Sequence, residues 1–447
     1  MRSMAAQWSG SNSNGRVLIG FDTRFASESL ANTAAEVLSE AGLKPIVSRS
    51  AIPTPVLTHA VSRRRVLGGL MLTASHNAPL DHGLKLFGST GGALSDPHAR
   101  ALEKAFSRQS GRVPVPGPPS VRMDWIKSYL GNLRNLLDED SLERSRLRLI
   151  YDGMHGSGAD VLIDLLAPTG IRMESLRARP DPLFGGQAPD PIPAHLDVLA
   201  LKMVGVRTAN TLGLATDGDA DRLAVVLPGG RFLSDTEMVA LLVDYLASTG
   251  RLTGTVAVTG ATGSLIDQVA AHRGLAVCRT RIGFKHLAPL LETGEAQIAG
   301  DESGGFGWSA MGLDKDGLLA AALFCEMAVS TRGGVRSRFD ALQRRHGASL
   351  CGRRALGLTP EMEAALRDLR KTTPARFDGL RIQSVDGRDG LRVQLEDGFI
   401  MWRISGTENV LRLYAEAPTR RRLARRLALG ERLVDRGSLR QSRSRGR

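Results

Sequence analysis

The chain is poor in aromatic residues, which fill 4% of its 447 positions, and poor in cysteine, of which it has three. Cys278, Cys325 and Cys351 are odd in number and show no C-x-x-C spacing, so a disulfide framework and a thiolate metal site are not expected. No apolar run reaches the roughly 18 residues that span a bilayer, which gives no membrane partner. The opening "MRSMAAQWSGSNSNG" lacks the apolar core of about 7 to 15 residues that marks a secretion signal, so a cytoplasmic location is expected. Acidic residues are outnumbered, and the formal charge of +13 comes mostly from arginine, much of it near the C-terminus. Such a balance suits an anionic partner. The few aromatics do not interleave with the basic residues, so there is no stacking platform for nucleic acid, and the terminal arginines read as a solvated helix face. Oligomeric state leaves no trace in the sequence.

What is present is ordinary for a globular chain, with 42% hydrophobic and 23% charged residues. At roughly 100 to 200 residues per domain, this length predicts about three or four domains. Strand-like and helix-like segments alternate from "RVLIGF" through "SLANTAAEVLSEAG" and "KPIVS" to "VLGGLMLTAS" and "DPHARALEKAFSR", the rhythm of α/β units. The Pro-rich "GRVPVPGPPS" closes that unit, and "MDWIKSYLGNLRNLL" predicts a helix leading into the next. A second unit ends with "LGLATDGDADRLAVVL", and a third opens where Ser234 and Glu237 have capping-box spacing. The last hundred residues join short strands by Gly or Asp turns, which predicts an antiparallel sheet. The expectation is three similar α/β domains with mixed sheets, at 1–130, 131–232 and 233–345, followed by an α+β domain at 346–436 and a disordered basic tail at 437–447.

The segment "ATDGDADRL" carries Asp217, Asp219 and Asp221 at alternate positions. Alternate side chains of an extended backbone point the same way, so three carboxylates can converge on a hard cation such as Mg²⁺. An EF-hand would need Gly and Glu where Arg222 and Pro228 stand, and an acidic hairpin turn is the plain alternative. In "LTASHNAPLDHGLKLF", Ser75 sits beside His76, Asn77 and Lys85, with neither a G-x-S-x-G elbow nor an S-x-x-K pattern. A capped turn explains the string alone. A serine beside a carboxylate-bound Mg²⁺ instead suits phosphoryl transfer, where positioning and charge neutralisation carry the catalysis. "RTRIGFKHL", "IAGDESGGFG" and "LDKDG" offer acid, hydroxyl and glycine for sugar hydroxyls, with Lys285 and Lys315 for an anion, or form a surface loop. In "WRISGTENVLRLY", Arg403, Ser405, Gly406 and Thr407 combine a guanidinium fork with a glycine turn, a phosphate cradle or a strand cap.

"TASHN", "DGDADR", "GDESGG" and "RISGTEN", in that order over four expected domains, resemble the four active-site loops of the α-D-phosphohexomutase superfamily, the phosphoglucomutases and phosphomannomutases. "GFDTR", "YDGMHGSGAD", "PDPLFGGQAPDP", "RIGFK" and "DKDG" extend the resemblance over nearly the whole chain. It implies an isomerase of carbohydrate metabolism that interconverts hexose 1-phosphate and hexose 6-phosphate through a phosphoserine and a hexose 1,6-bisphosphate. By that resemblance Ser75 carries the phosphate, and Asp217, Asp219 and Asp221 hold Mg²⁺ with the serine phosphate as a further ligand. Arg222 steadies the transferring group, and Lys85 or His76 is the general base. Asp301, Glu302, Ser303, Gly283, Lys285 and Lys315 bind the sugar phosphate, while Arg403, Ser405, Gly406 and Thr407 hold its other phosphate. The expected partners are thus small sugar phosphates.

Asp301 stands where Glu is usual in the family, and Ala78 and Ile404 replace two common prolines. The family's opening strand and "FGTxGxRG" segment have no counterpart before Arg16. That departure leaves three readings: an active mutase, a sugar-phosphate-binding homologue with turnover impaired, or a sequence whose start is wrongly assigned. The resemblance does not choose glucose over mannose. Thr73 and "GDESGG" weigh against glucosamine.

Overall fold

After its first residue, the strand β1 (Arg16–Phe21) is apolar and buried throughout. Such a run belongs in the middle of a parallel sheet covered on both faces. In the computed structural model, which describes residues 15–94, 100–101, 104, 121–406 and 409–435, β1 lies at the centre of a five-stranded sheet. The Pro-rich segment, most of the helix expected over 96–108, Thr407 and the basic tail lie outside the described residues. The remaining strands are β2 (Lys44–Ser48), β3 (Gly68–Leu72), β4 (Leu84–Gly88) and β5 (Val121–Met123), in the order β4-β3-β1-β2-β5. All pair in parallel except β4, which runs back along β3.

The next two domains repeat this plan. The second sheet is built from β6 (Arg148–Asp152), β7 (Arg172–Leu176), β8 (Thr211–Thr216), β9 (Leu223–Leu227) and β10 (Arg231–Phe232), in the order β10-β9-β8-β6-β7. The third holds β11 (Val256–Thr259), β12 (Val277–Thr280), β13 (Ile298–Gly300) and β14 (Phe306–Trp308), in the order β12-β11-β13-β14. In each domain a parallel strand ends and the chain returns antiparallel beside it: β3 to β4, β8 to β9, β13 to β14. The loops at those three returns, 73–83, 217–222 and 301–305, hold Ser75, the Asp triplet and Asp301–Ser303. The expected capping box is present, with Ser234 Oγ accepting from Glu237 N and the Glu237 carboxylate accepting from Ser234 N.

The fourth domain is antiparallel, as expected. Its strands are β15 (Leu350–Gly357), β16 (Arg376–Phe377), β17 (Leu380–Asp386), β18 (Leu391–Leu395), β19 (Gly398–Ile404) and β20 (Val410–Ala417), in the order β15-β20-β19-β18-β17-β16. Helices Pro360–Lys371 and Arg420–Val434 pack on an apolar core of its own. By contrast, one continuous core runs through the three α/β domains, from Val56 and Leu57 through Leu149 and Leu162 to Leu242 and Phe324. Removing such side chains from water, at about 1.5 to 3 kcal/mol each, holds the three domains as one body. Among the described residues no single helix is long and apolar enough to cross a membrane.

The helix expected over "MDWIKSYLGNLRNLL" spans Ile126–Arg134, so the first break set at residue 130 falls inside it. A helix forms as one cooperative unit, and this one ties domains together. Its Tyr129 is fully buried and donates to both Asp316 oxygens, at 2.8 and 2.9 Å. Asp316 also caps the helix Gly317–Ser330 by accepting from Leu319 N. Tyr129→Phe removes the donor and leaves a buried carboxylate short of a partner, so it should cost about 1 to 3 kcal/mol. Thermal melting followed by circular dichroism checks this, and an unchanged midpoint would refute it.

Candidate active site

Ser75 has a left-handed backbone, with φ of 54°, which a residue with a Cβ adopts at a cost of about 1–2 kcal/mol unless its surroundings impose it. Here they do. Ser75 N donates to Thr73 Oγ1 at 2.8 Å, and Thr73 Oγ1 donates in turn to Asp22 Oδ2 at 2.7 Å. Ser75 Oγ donates to Asp217 Oδ2 at 2.7 Å, and His76 Nδ1 lies 3.4 Å from the same Ser75 oxygen. Burial, with Arg222 nearby, pushes the His76 imidazole down to about 3, so the ring is neutral near pH 7.

Asp217, Asp219 and Asp221 are at most 1% exposed, and one oxygen from each lies within 4.8 Å of the others. Burial and the two neighbouring carboxylates hold the Asp217 carboxyl well above its usual range. Burial pushes Asp221 the same way, but Lys315, Lys85 and Arg222 overcome it and hold its carboxyl below that range. Lys85 Nζ reaches Asp219 Oδ2 at 2.6 Å and Asp221 Oδ2 at 2.5 Å, and Lys315 Nζ lies 3.2 Å from Asp221 Oδ1. Burial favours a neutral Lys85 amine, yet Asp219, Asp221 and Asp217 raise its pKa above the ordinary value. Asp219 Oδ1 is buried with no hydrogen bond, and Asp221 Oδ1 has no hydrogen bond beyond its ion pair with Lys315. An orphaned carboxylate oxygen within a trio of converging acids fits a hard divalent cation with oxygen ligands.

Contacts from the first and third domains fix the Asp loop of the second. Thr54 N donates to Asp219 O at 2.9 Å and Thr54 Oγ1 to Asp219 Oδ2, both from the first domain. Gly317 N donates to Ala220 O at 3.1 Å, and Leu223 N to Gly304 O at 3.3 Å, which joins the Asp loop to the Asp301 loop. Gly218 is needed where the Ser75 and Asp loops meet, because a Cβ there would stand 2.7 Å from Ser75 O.

These loops border a cleft of about 950 Å³ lined by His76, Arg222, Gly283, Asp301, Glu302, Ser303 and Lys315 from the expected set. Lys285 is not among its lining residues. Asp301 Oδ1 accepts from Ser303 N, Ser303 Oγ and Gly305 N at 2.8 to 3.0 Å, so one oxygen of the shorter acid braces its own loop. Glu302 Oε2 accepts from Thr259 Oγ1 at 2.6 Å. Arg403, Ser405 and Gly406 do not line the cleft, and Arg403 Nε is held by Asp389 at 3.0 and 3.1 Å.

The cleft's remaining cations are Arg353, Arg354 and Arg412, which sequence reasoning missed. Arg412 on β20 stands opposite both Arg403 on β19 and Ala355 on β15. Like charges directly opposite repel, and an anion bound between them relieves this. The alternation in "VLRLYAEA" was the available signal, because it sets Arg412 and Tyr414 on one sheet face and Leu411 and Leu413 on the other. Asp235 was missed as well. It lines a neighbouring chamber of about 500 Å³ that shares Glu302, Arg353 and Tyr414 with the cleft.

Models of the phosphoglucomutase/phosphomannomutase α/β/α domains I, II and III match residues 1–112, 127–230 and 235–345, and the model of the C-terminal domain matches residues 360–429. A phosphoglucomutase/phosphomannomutase of Thermococcus kodakarensis is 29% identical over 422 residues, which cover 94% of this chain and 90% of that one. A phosphoglucosamine mutase of Kineococcus radiotolerans is 28% identical over 416 residues, 91% of this chain and 87% of that one. The crystal structure of a Thermus thermophilus protein assigned as a phosphomannomutase superposes with a TM-score of 0.86 at 29% identity, over 97% of this chain and 93% of that one.

Asp235 gives the electrostatics a measurable consequence. Burial is the main cause that pushes its carboxyl from 3.8 up to about 7, with Arg353 opposing and Asp301 and Glu302 adding to the rise. A carboxyl raised in the folded state contributes stability that is complete below about pH 4 and is lost as pH rises through about 7. Asp235→Asn stays neutral throughout, so its melting temperature should gain on the wild type between pH 5 and pH 8. A difference that does not grow with pH would exclude this account.

Proposed function

The chain belongs to the phosphoglucomutase/phosphomannomutase family of phosphohexomutases, and from that premise we propose that it interconverts hexose 1-phosphate and hexose 6-phosphate, of glucose or mannose, through a phosphorylated Ser75. The observation that carries this reading is Ser75 Oγ, 2.7 Å from Asp217 within a buried acidic trio at the edge of a cationic cleft. Asp217, Asp219 and Asp221 would hold Mg²⁺, which when bound neutralises charge at the transferring phosphoryl group.

In the first half-reaction the bond from phosphorus to Ser75 Oγ breaks, and a sugar hydroxyl oxygen forms the new bond to phosphorus. The proton of that hydroxyl passes to Ser75 Oγ through His76, whose neutral ring lies 3.4 Å from that oxygen, since Asp219 and Asp221 hold the Lys85 amine protonated, and this balances the step. The hexose 1,6-bisphosphate then presents its other phosphate to Ser75, and the same steps run in reverse. Arg222 and Lys315 face the transferring group, while Asp301, Glu302 and Ser303 offer acceptors and a hydroxyl to the sugar. Arg412, which lines the cleft, holds the phosphate that is not being transferred, together with Arg403 opposite it on β19 and the Ser405, Gly406 and Thr407 loop that follows.

Purified protein with Mg²⁺ and a trace of hexose 1,6-bisphosphate should interconvert the 1- and 6-phosphates. Ser75→Ala should lower kcat by at least about 10³-fold, because the acceptor of the phosphoryl group is gone. Removal of divalent cations with a chelator should stop turnover, and their return should restore it. Comparing glucose, mannose and glucosamine phosphates ranks the substrates. A folded sample that turns over none of them would overturn this reading and leave a sugar-phosphate-binding homologue.

A further inference from the structure

Arg24 lies outside the cleft, and no step above uses it. Its side chain is fully buried, and its donors point into one short stretch of backbone. Nη1 donates to Ala78 O at 2.6 Å and Asp81 O at 3.1 Å, with Pro79 O at 3.4 Å. Nη2 donates to Ser75 O at 2.7 Å and Asn77 O at 2.9 Å. Nε pairs with Asp22 Oδ2 at 3.1 Å, the oxygen that also accepts from Thr73 Oγ1. From the second domain, Phe184 covers the guanidinium at 4.9 Å.

The geometry is unusual for a buried arginine. One guanidinium gathers carbonyls from Ser75 to Asp81, while its Asp22 partner sets the hydroxyl that receives Ser75 N. The loop has few apolar side chains of its own to bury, since Ala78 is exposed and Leu80 is 78% exposed. Its shape therefore comes from this fan of hydrogen bonds. Two of its ties converge on Ser75 itself: the carbonyl through Arg24 and the amide through Asp22 and Thr73. Together they impose the left-handed backbone that aims Oγ at Asp217.

We infer that Arg24 is a positioning residue for Ser75: it holds the 75–81 backbone in the one shape that brings Oγ to the Asp triplet. The inference rests on the phosphoserine reading of Ser75, and it extends that reading to a residue that touches neither sugar nor phosphate. Lysine keeps the charge but not the planar fork, so it cannot serve five carbonyls and Asp22 at once. Arg24→Lys and Arg24→Gln are the test variants.

Hydrogen exchange by mass spectrometry should show residues 74–83 opening at least about 10-fold more often in both variants, with β1, β3 and the other domains unchanged. With glucose 1,6-bisphosphate and Mg²⁺, kcat should fall about 10²-fold and KM change by less than about 3-fold in either direction, the mark of a displaced nucleophile over an intact sugar site. Phosphorylation of Ser75, read from intact mass, should slow by the same factor as kcat. Wild-type exchange in residues 74–83, or kcat within about 3-fold of wild type, would overturn the inference. Loss of the whole fold in both variants would also overturn it, because the role would then be general. If the wild type itself shows no turnover but the variants loosen only this loop, the mutase reading fails and the clamp stands.

Discussion

Three carboxylates packed within 4.8 Å of one another, almost wholly out of water, are the constraint around which this molecule is arranged. Charges taken from water at such spacing repel strongly, and only nearby cations, donors or protons make the cluster tolerable. The chain meets that demand from several directions. Lys85 comes from the first domain, Arg222 from the loop itself and Lys315 from the third domain, while Thr54 and Ser75 supply hydroxyl donors. The Asp loop cannot reach this state within its own domain, so the order of the site depends on the packing of three domains.

The fold answers the same demand by repetition. Each α/β domain places one chemistry at the same point, where a parallel strand ends and the chain turns back antiparallel. Ser75, the Asp triplet and Asp301–Ser303 are therefore equivalent positions in three copies of one plan. The shared apolar core holds those copies rigidly enough for hydrogen bonds to cross between their loops. The fourth domain has its own core, and its cations come from alternate positions on a sheet face. The first three domains thus form one block on a shared core, and the fourth stands on a core of its own.

Electrostatics in the buried layers around the site separate two kinds of group. Asp235, Asp314 and Asp316 have carboxyls pushed up to about 6 or 7, chiefly by burial. Asp221 is pulled the other way because three cations face it. Groups of one chemical type thus differ across a few residues because their neighbours differ, which residue type alone does not reveal.

The motifs were legible in the sequence because their chemistry is local. Alternate aspartates between two apolar runs, a serine at a strand end and a glycine turn after an arginine are patterns of neighbours in the chain. The α/β rhythm and the antiparallel last domain were legible for the same reason, since apolar period and turn residues are local signals. Arg24 and Arg412 were not. Arg24 acquires its role only when loop 75–81, far along the chain, folds over it, and Arg412 only when β20 lies between β15 and β19. The helix Ile126–Arg134 spans residue 130, and its packing against later elements is likewise a matter of tertiary structure. The sequence by itself determined the four motifs, their order and the family they resemble. Only tertiary structure decided how those groups are charged and aimed, because hydrogen bonds and fields between residues distant along the chain exist only after the domains pack.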